Sequence, residues 1–302
     1  MHIPLFSQPH PASDYETAVS RYHALHNRHT PEPLNPLSRD ILLTHGGMVE
    51  KAIVLFHGLT SSPRQFAQLG ELLHQHGFNV LIPRVPFHGH ADTMTTALSQ
   101  LKATQVAALA NEAVDIAQGL GRRVFAMGLS MGGVMTGWVT QFRADVEATA
   151  LISPVFGLHV VPATQTRLLT EATLRLPNRF MWWDPEMENR GPGAKHAYPR
   201  FPTHALAQVL RLGFAVQDGV RRGETAVRRI LFITNPNDEA VSSPMIAQVR
   251  HRWAQQPGVV VQSYVFDKAL ALNHDLIEPE HPQQNVTAVY PILLDLIANL
   301  TR

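Results

Sequence analysis

The chain has 302 residues and a net charge of +1, with 45% hydrophobic and 16% charged residues. A chain of this length buries a substantial core as one large α/β domain or two smaller ones, and its near-neutral charge offers no electrostatic basis for binding nucleic acid. The absence of cysteine excludes disulfides, thiolate metal sites and a cysteine nucleophile. Because residues 1–7 lack a signal-peptide pattern and no apolar run is long enough to span a bilayer, we expect a cytoplasmic protein without a transmembrane segment.

Residues 1–40 are rich in proline and histidine, and we interpret them as an extension that packs on the main domain. A short helix is predicted over 14–29, where three histidines recur at every third position. Packed or solvated histidines are the better interpretation than a metal site, because the pattern places no further ligand beside them. The pairs His74 with His76 and His88 with His90 also lack a third ligand, so neither a metal nor another cofactor is predicted. The three histidines of the helix are His23, His26 and His29.

Residues 40–153 alternate between predicted strands and helices. The strands are continuous apolar runs, which are typical of a parallel sheet covered on both faces. Proline near the start of the first of these helices and glycine after it mark its ends. Strands are predicted over 40–45, 51–56, 78–83, 124–127 and 148–153, and helices over 63–75, 100–118 and 131–142.

Residues 155 to about 225 interrupt this alternation with repeated prolines and an aromatic cluster around Trp182 and Trp183. We interpret them as an inserted helical cap, with helices near 164–176 and 203–218, the second of which returns towards the sheet. The alternation resumes with strands over 229–234 and 259–266 and helices over 243–253 and 282–300. The predicted fold class is therefore α/β, with a mostly parallel, doubly wound sheet in a domain over 41–302.

The segment from Gly128 to Gly132 matches G-x-S-x-G and separates a predicted buried strand from a predicted helix. A serine on so sharp a turn has a strained backbone, and its hydroxyl is lifted above the sheet near the first amides of the helix. Ser130 is therefore a candidate nucleophile. The alternative is a purely structural glycine-rich turn.

A serine hydroxyl needs a base to accept its proton and a carboxylate to orient that base. Asp238 and His274 each follow a later predicted strand, and the order Ser, Asp, His is the one expected when G-x-S-x-G is a nucleophile elbow. Taken alone, Asp238 is also a suitable residue for a turn or for capping the next helix, and His274 is one histidine among many in the chain. His251 and His281 are less suitable bases, because they lie in a predicted helix and in the approach to another.

Two backbone amides are candidate donors to the oxyanion of a tetrahedral intermediate. Met131 follows the nucleophile, and Leu59 follows the strand that ends before His57 and Gly58. The alternative for this loop is a plain turn at the end of a strand, with His57 as a structural residue.

Together these segments resemble the α/β-hydrolase superfamily in its serine-hydrolase branch, and more narrowly the bacterial carboxylesterase and monoacylglycerol lipase group. The resemblance implies the α/β-hydrolase fold, a metal-independent ester hydrolase with an acyl-enzyme intermediate, and a pocket under a helical cap. One departure is His88-Gly89-His90, where members of the group often carry Gly-His-Gly. The segments that carry the resemblance are 57–63, 86–90, 128–133 and 237–241, together with His274.

The expected substrate is a small-molecule ester with an apolar acyl group, such as a monoacylglycerol. The same residues serve thioesters, lactones and amides, and a hydrolase fold that only binds a ligand is the alternative from another class. Serine at the elbow argues against a dehalogenase or epoxide hydrolase, which use aspartate there. The residues expected to line the pocket, some of which alternatively only attach the cap to the domain, are His57, Gly58, Phe156, Trp182 and Trp183.

Overall fold

The structure is a computed structural model that describes residues 6–28, 30, 32–184, 194–223 and 225–302. His29 of the predicted histidine series and residues 185–193 of the predicted cap lie outside the described residues.

A seven-stranded sheet forms the centre of the molecule, in the order β1-β3-β2-β4-β5-β8-β9. All neighbouring strands are parallel except β1, which pairs antiparallel with β3 at one edge. This arrangement confirms the predicted mostly parallel sheet. The strands are β1 Ile41–Leu43, β2 Val49–Phe56, β3 Phe78–Ile82, β4 Gly121–Leu129, β5 Ala148–Ile152, β6 Phe180–Trp182, β7 Arg200–Pro202, β8 Arg229–Thr234 and β9 Val260–Val265.

Helices cover both faces of this sheet, as expected for strands that are apolar on both sides. In β2, Ile53 belongs to the cluster formed with α2 and α8, whereas Val54 belongs to the cluster formed with α3, α4, α6 and α7. The helices are α1 Tyr15–His26, α2 Arg64–Gln75, α3 Ala103–Leu120, α4 Met131–Phe142, α5 Ala163–Thr173, α6 Thr203–Arg222, α7 Ser243–Ala254 and α8 Val286–Leu300.

The N-terminal segment lies against helix α3. The Ala12 amide donates to the Asp115 carbonyl at 2.8 Å. A Cβ on Gly119 would lie 2.3 Å from the Asp14 carbonyl oxygen, so this close approach requires glycine on α3. Within the described residues, no helix is long and apolar enough to cross a membrane, and no three histidine or acidic side chains are grouped to hold a metal ion.

The chain between β5 and β8 contains α5, the two short strands β6 and β7, and α6. Strands β6 and β7 pair antiparallel in a separate two-stranded sheet. The sequence did not predict them, because both are short and lie among the repeated prolines of the cap, which argue against a strand. Helix α6, which was expected to return towards the sheet, buries one face against helices α4 and α3.

Candidate active site

The loops that carry the candidate residues leave the sheet from two adjacent rows of paired residues. Phe56 is opposite Gly128, Leu129 is opposite Ile152, and Ile152 is opposite Ile233. Neighbouring strands are about 4.8 Å apart, so chain segments that follow these residues emerge side by side at the carboxyl edge of the sheet. The parallel register therefore brings sequence-distant loops to one place.

Ser130 occupies a strained turn between β4 and α4, with φ 58° and ψ −111°. Two glycines make this turn possible. A Cβ on Gly132 would lie 1.8 Å from the Phe56 carbonyl oxygen, and a Cβ on Gly128 would lie 2.2 Å from the carbonyl oxygen of Gly132. The side chain of Ser130 remains partly exposed, as a nucleophile requires. Backbone strain of this kind is stored where the surrounding structure holds it in place.

Asp238 and His274 form a direct pair. His274 Nδ1 lies 2.8 Å from Asp238 Oδ2, and the other carboxylate oxygen accepts the Ala240 amide at 3.0 Å. The Asp238 side chain is 2% exposed and that of His274 is 21% exposed, so the carboxylate is enclosed while the imidazole keeps an open side. A carboxylate on Nδ1 leaves Nε2 as the nitrogen available to accept a proton.

The two members of this pair change each other's pKa. Burial disfavours the imidazolium of His274, but the hydrogen bond to Asp238 and the charges of Asp238 and Asp275 outweigh it and raise the pKa of His274 above its ordinary value. Burial also disfavours the charged form of Asp238, but the hydrogen bond from His274 and the charge of its ring lower the pKa of that carboxyl. Each member of the pair thus favours the charged form of the other, so the imidazole is a stronger base and the carboxyl group a stronger acid than in isolation.

The loop that carries His274 is held by the segment that carries Asp238. The side-chain amide of Asn235 donates to the carbonyl oxygens of Leu272 at 2.8 Å and Asn273 at 3.0 Å. His281, one of the less suitable bases, contacts the Asn273 side chain. The other, His251, is exposed on α7 and contacts Gln255. Of these three histidines, His274 has the carboxylate partner that a general base needs.

The structure brings the loop after β2 next to Ser130. A Cβ on Gly58 would lie 3.8 Å from Ser130 Cβ. Among the described residues, the amides of Leu59 and Met131 have no acceptor, and no hydrogen bond joins Ser130 Oγ to His274. Catalytic hydrogen bonds are often long or poorly aligned before substrate binds, so this separation is compatible with proton transfer in a complex.

The buried side chain of His57 supports the loop after β2. Its Nε2 accepts the Val85 amide at 3.1 Å, so Nδ1 carries the proton and donates to the Gly58 carbonyl at 2.9 Å. Burial, together with the charge of neighbouring His88, holds the pKa of His57 well below its ordinary value. Although His57 was predicted to line the pocket, both of its nitrogens bond to the protein's own backbone.

Phe156 and the two cap tryptophans differ in their surroundings. Phe156 was also predicted to line the pocket, but it is fully buried against Gly137 and Gly213 of helices α4 and α6. Trp182 is partly buried in β6. Trp183 is 44% exposed, and its Nε1 donates to Thr60 Oγ1 at 2.7 Å. Trp183 therefore lies beside the loop that contains Leu59, whereas Phe156 supports the helices.

Gln65 and Thr60 lie beside the candidate residues, although the sequence did not single them out. The Gln65 side chain accepts the Gly58 amide at 2.8 Å and donates to Asp275 Oδ1 at 3.2 Å. Thr60 has a positive φ of 68° directly after Leu59. A glutamine in the first turn of a helix and a threonine in a loop carry no pattern that marks them, because their partners are distant in sequence.

Comparison with known proteins identifies a family model that covers most of the chain and a relative that covers about half of it. A model of the alpha/beta hydrolase family matches residues 53–289. A thermostable monoacylglycerol lipase from Bacillus sp. (strain H-257) is 26% identical over 169 residues, which are 53% of this chain and 60% of that protein. The match therefore spans about three fifths of the length of this relative.

Solved structures share the fold at low sequence identity. A structure from work on the metagenome-derived lipolytic enzymes LipS and LipT superposes with a TM-score of 0.63 at 18% identity, covering 88% of this chain and 99% of that one. A monoacylglycerol lipase from Paleococcus ferrophilus superposes with a TM-score of 0.62 at 16% identity, covering 86% of this chain and 98% of that one. These likenesses show the fold.

Proposed function

Because this chain belongs to the alpha/beta hydrolase family, we propose that it is a serine hydrolase that cleaves carboxylic esters through an acyl-enzyme intermediate. The observation that carries the proposal is the strained Ser130 at the end of β4, combined with the Asp238–His274 pair that follows β8 and β9. This set contains a nucleophile, a general base and a carboxylate that orients the base.

In the proposed reaction, His274 Nε2 removes the proton from Ser130 Oγ as that oxygen attacks the ester carbonyl carbon. The amides of Leu59 and Met131 donate to the carbonyl oxygen as it becomes negative. His274 then gives the proton to the departing alcohol, which leaves an acyl group on Ser130. A water molecule, deprotonated by His274, attacks this acyl group, and the acid is released as Ser130 regains its proton. Asp238 holds the tautomer and stabilises the imidazolium.

We propose an apolar acyl ester, such as a monoacylglycerol, as the substrate class. The similarity to a monoacylglycerol lipase supports this choice. The side chain of Trp183, hydrogen-bonded beside Leu59, also provides an apolar surface at the proposed site. The proposed chemistry uses only side chains, backbone amides and water, and it involves no cofactor or nucleic acid.

Labelling with a fluorophosphonate tests the nucleophile. We expect rapid labelling and turnover of p-nitrophenyl esters by the native protein, and loss of both in Ser130→Ala. The matched control is Ser243→Ala, which changes an exposed serine at the start of α7 and leaves labelling intact. Native protein that is folded but neither labelled nor active on any acyl ester from acetate to palmitate would refute the proposal and favour a ligand-binding role.

A parallel series separates the alternative substrates of the same residues. Monoacylglycerols, acyl thioesters, lactones and anilides with matched acyl chains are compared by kcat/KM. We expect the oxygen esters to give the highest value. A thioester or lactone that exceeds the matched ester by tenfold or more would leave Ser130 as the nucleophile but change the substrate class.

A further inference from the structure

The loop that carries the proposed oxyanion donor is joined directly to the loop that carries the proposed base. Gln65, at the start of α2, donates to Asp275, the residue after His274, at 3.2 Å. Arg64 Nε donates to Glu280 Oε1 at 3.0 Å. These contacts connect residues 57–65, which we call the oxyanion segment, to residues 273–280, which we call the base segment.

A third connection between the two segments passes through a residue of the cap. His196 Nδ1 lies 3.1 Å from Ser62 Oγ in the oxyanion segment. On the other side of the ring, His196 Nε2 lies 3.2 Å from Glu278 Oε2 in the base segment, at ion-pair distance but without the alignment of a linear hydrogen bond. One imidazole therefore contacts both segments at once.

All three members of this connection are enclosed. Ser62 is 0%, His196 1% and Glu278 4% exposed. Burying such groups costs free energy, and a buried ion pair is often no more stabilising than apolar residues of the same volume. None of the three has a role in the proposed reaction. The effect of this cluster is therefore geometric, because it fixes where the oxyanion segment, the cap and the base segment meet.

The cap also contacts the strained residue next to the proposed oxyanion donor. The Tyr198 amide donates to the Thr60 carbonyl at 2.8 Å, and Trp183 Nε1 donates to Thr60 Oγ1 at 2.7 Å. Thr60 has a positive φ and follows Leu59 directly. A residue in this conformation persists only where its surroundings hold it, so the docked cap helps to set the direction of the Leu59 amide.

We propose that His196 is a positioning residue that couples docking of the cap to the alignment of the oxyanion and base segments. This inference rests on the proposed function. When the cap is docked, the ring holds Ser62 and Glu278 at a fixed separation, and through them Leu59 and His274. The cap then contributes to the chemical step as well as covering the substrate.

The inference is tested with His196→Leu and Glu278→Leu, measured as kcat and KM on p-nitrophenyl butyrate well below each protein's melting temperature. We expect kcat to fall about tenfold to a hundredfold, because misplacement near 1 Å has an effect of this size, with KM within about threefold. Since both changes break one connection, the double variant should lose no more than the worse single variant. Glu278→Gln keeps an acceptor for the ring and should restore most of kcat.

The control is Glu171→Gln, which weakens the ion pair with Arg211 between α5 and α6 inside the cap and touches neither segment. Its kcat should equal that of the native protein. A folded His196→Leu protein with native kcat, even with a lowered melting temperature, would overturn the inference and show a structural role only. If that variant does not fold, Glu278→Leu is judged by the same criterion.

The outcomes also separate this inference from the proposed function. Native protein that is not labelled by a fluorophosphonate would refute both. Native protein that is labelled and active, together with variants of undiminished kcat, would refute the role of His196 alone.

Discussion

Asp238→Asn tests the electrostatics of the proposed base most directly. Asparagine has nearly the same size as aspartate, and the carboxylate it replaces lies 2.8 Å from His274 Nδ1 with 2% of its side chain exposed. The change therefore removes a charge and an acceptor with little change in packing. The amide nitrogen of asparagine can also donate to Nδ1, which would place the ring proton on Nε2, the atom that must accept a proton from Ser130.

The expected loss follows from the charge and the tautomer. Two unit charges about 4 Å apart near a protein surface interact by about 4 kcal/mol, which corresponds to about 10³ in rate if it is felt only when the imidazolium forms. The wrong tautomer adds to this, and the equivalent change in serine proteases costs about 10⁴ in kcat. We therefore expect kcat to fall by about 10³–10⁴ in Asp238→Asn.

The pH dependence of kcat/KM gives a second readout with a defined sign. The base works only when neutral, so activity rises as pH increases through the pKa of His274. Asp238 and Asp275 raise that pKa against the effect of burial. The native acid limb should therefore lie above the ordinary histidine value of about 6.5, and in Asp238→Asn it should move to lower pH. Stopped-flow assays of p-nitrophenyl acetate between about pH 5 and 9 cover the acid limb of both proteins.

Asp275→Asn is the matched control, because it removes a neighbouring charge and leaves the Asp238–His274 hydrogen bond in place. Its acid limb should move in the same direction by a smaller amount, and its kcat should remain far above that of Asp238→Asn. An Asp238→Asn protein that keeps more than about a tenth of native kcat, with an unshifted acid limb, would refute the assignment of this pair.

Two further changes test the support of the site. Gly132→Ala should abolish activity and lower the melting temperature, because the added Cβ would lie 1.8 Å from the Phe56 carbonyl oxygen and the backbone must move by about 1 Å to make room. The control is Gly213→Ala on α6, whose Cβ would lie 3.5 Å from its nearest neighbour and which should fold normally, and native activity in Gly132→Ala would show that the elbow geometry is wrong. Gln65→Leu removes the hydrogen bonds of that side chain with Gly58 and Asp275, and it should lower kcat on p-nitrophenyl butyrate about tenfold at nearly constant KM. An unchanged kcat would show that Gln65 only fills space.

The local sequence pattern was sufficient to predict the helices and strands that bury long apolar runs. The helix predicted over 131–142 has those bounds in the structure, and the strand predicted over 229–234 does as well. Helix α6 continues four residues beyond its predicted end, to Arg222, where Gly223 in the left-handed region ends it. Periodicity and end signals are properties of neighbouring residues, and so a single sequence carries them.

The two short strands of the cap and the contacts between sequence-distant residues could not be predicted in this way. Strands β6 and β7 have three residues each and exist because they pair with one another. Phe156 was expected at the pocket, yet its ring packs between helices α4 and α6, an environment that depends on how those helices cross. The residues next to these positions in the chain indicate neither the pairing of β6 with β7 nor the helices that enclose Phe156.

The sequence by itself determined the candidate chemistry, because the positions of Ser130, Asp238 and His274 after predicted strands and the order in which they occur are both written along the chain. The tertiary structure decided which groups lie around these candidate residues. It joined Asp238 to His274, linked Gly58 to Asp275 through Gln65, and enclosed His196 between Ser62 and Glu278. Such contacts depend on the parallel register and on the docking of the cap, which bring together residues that are up to 210 positions apart.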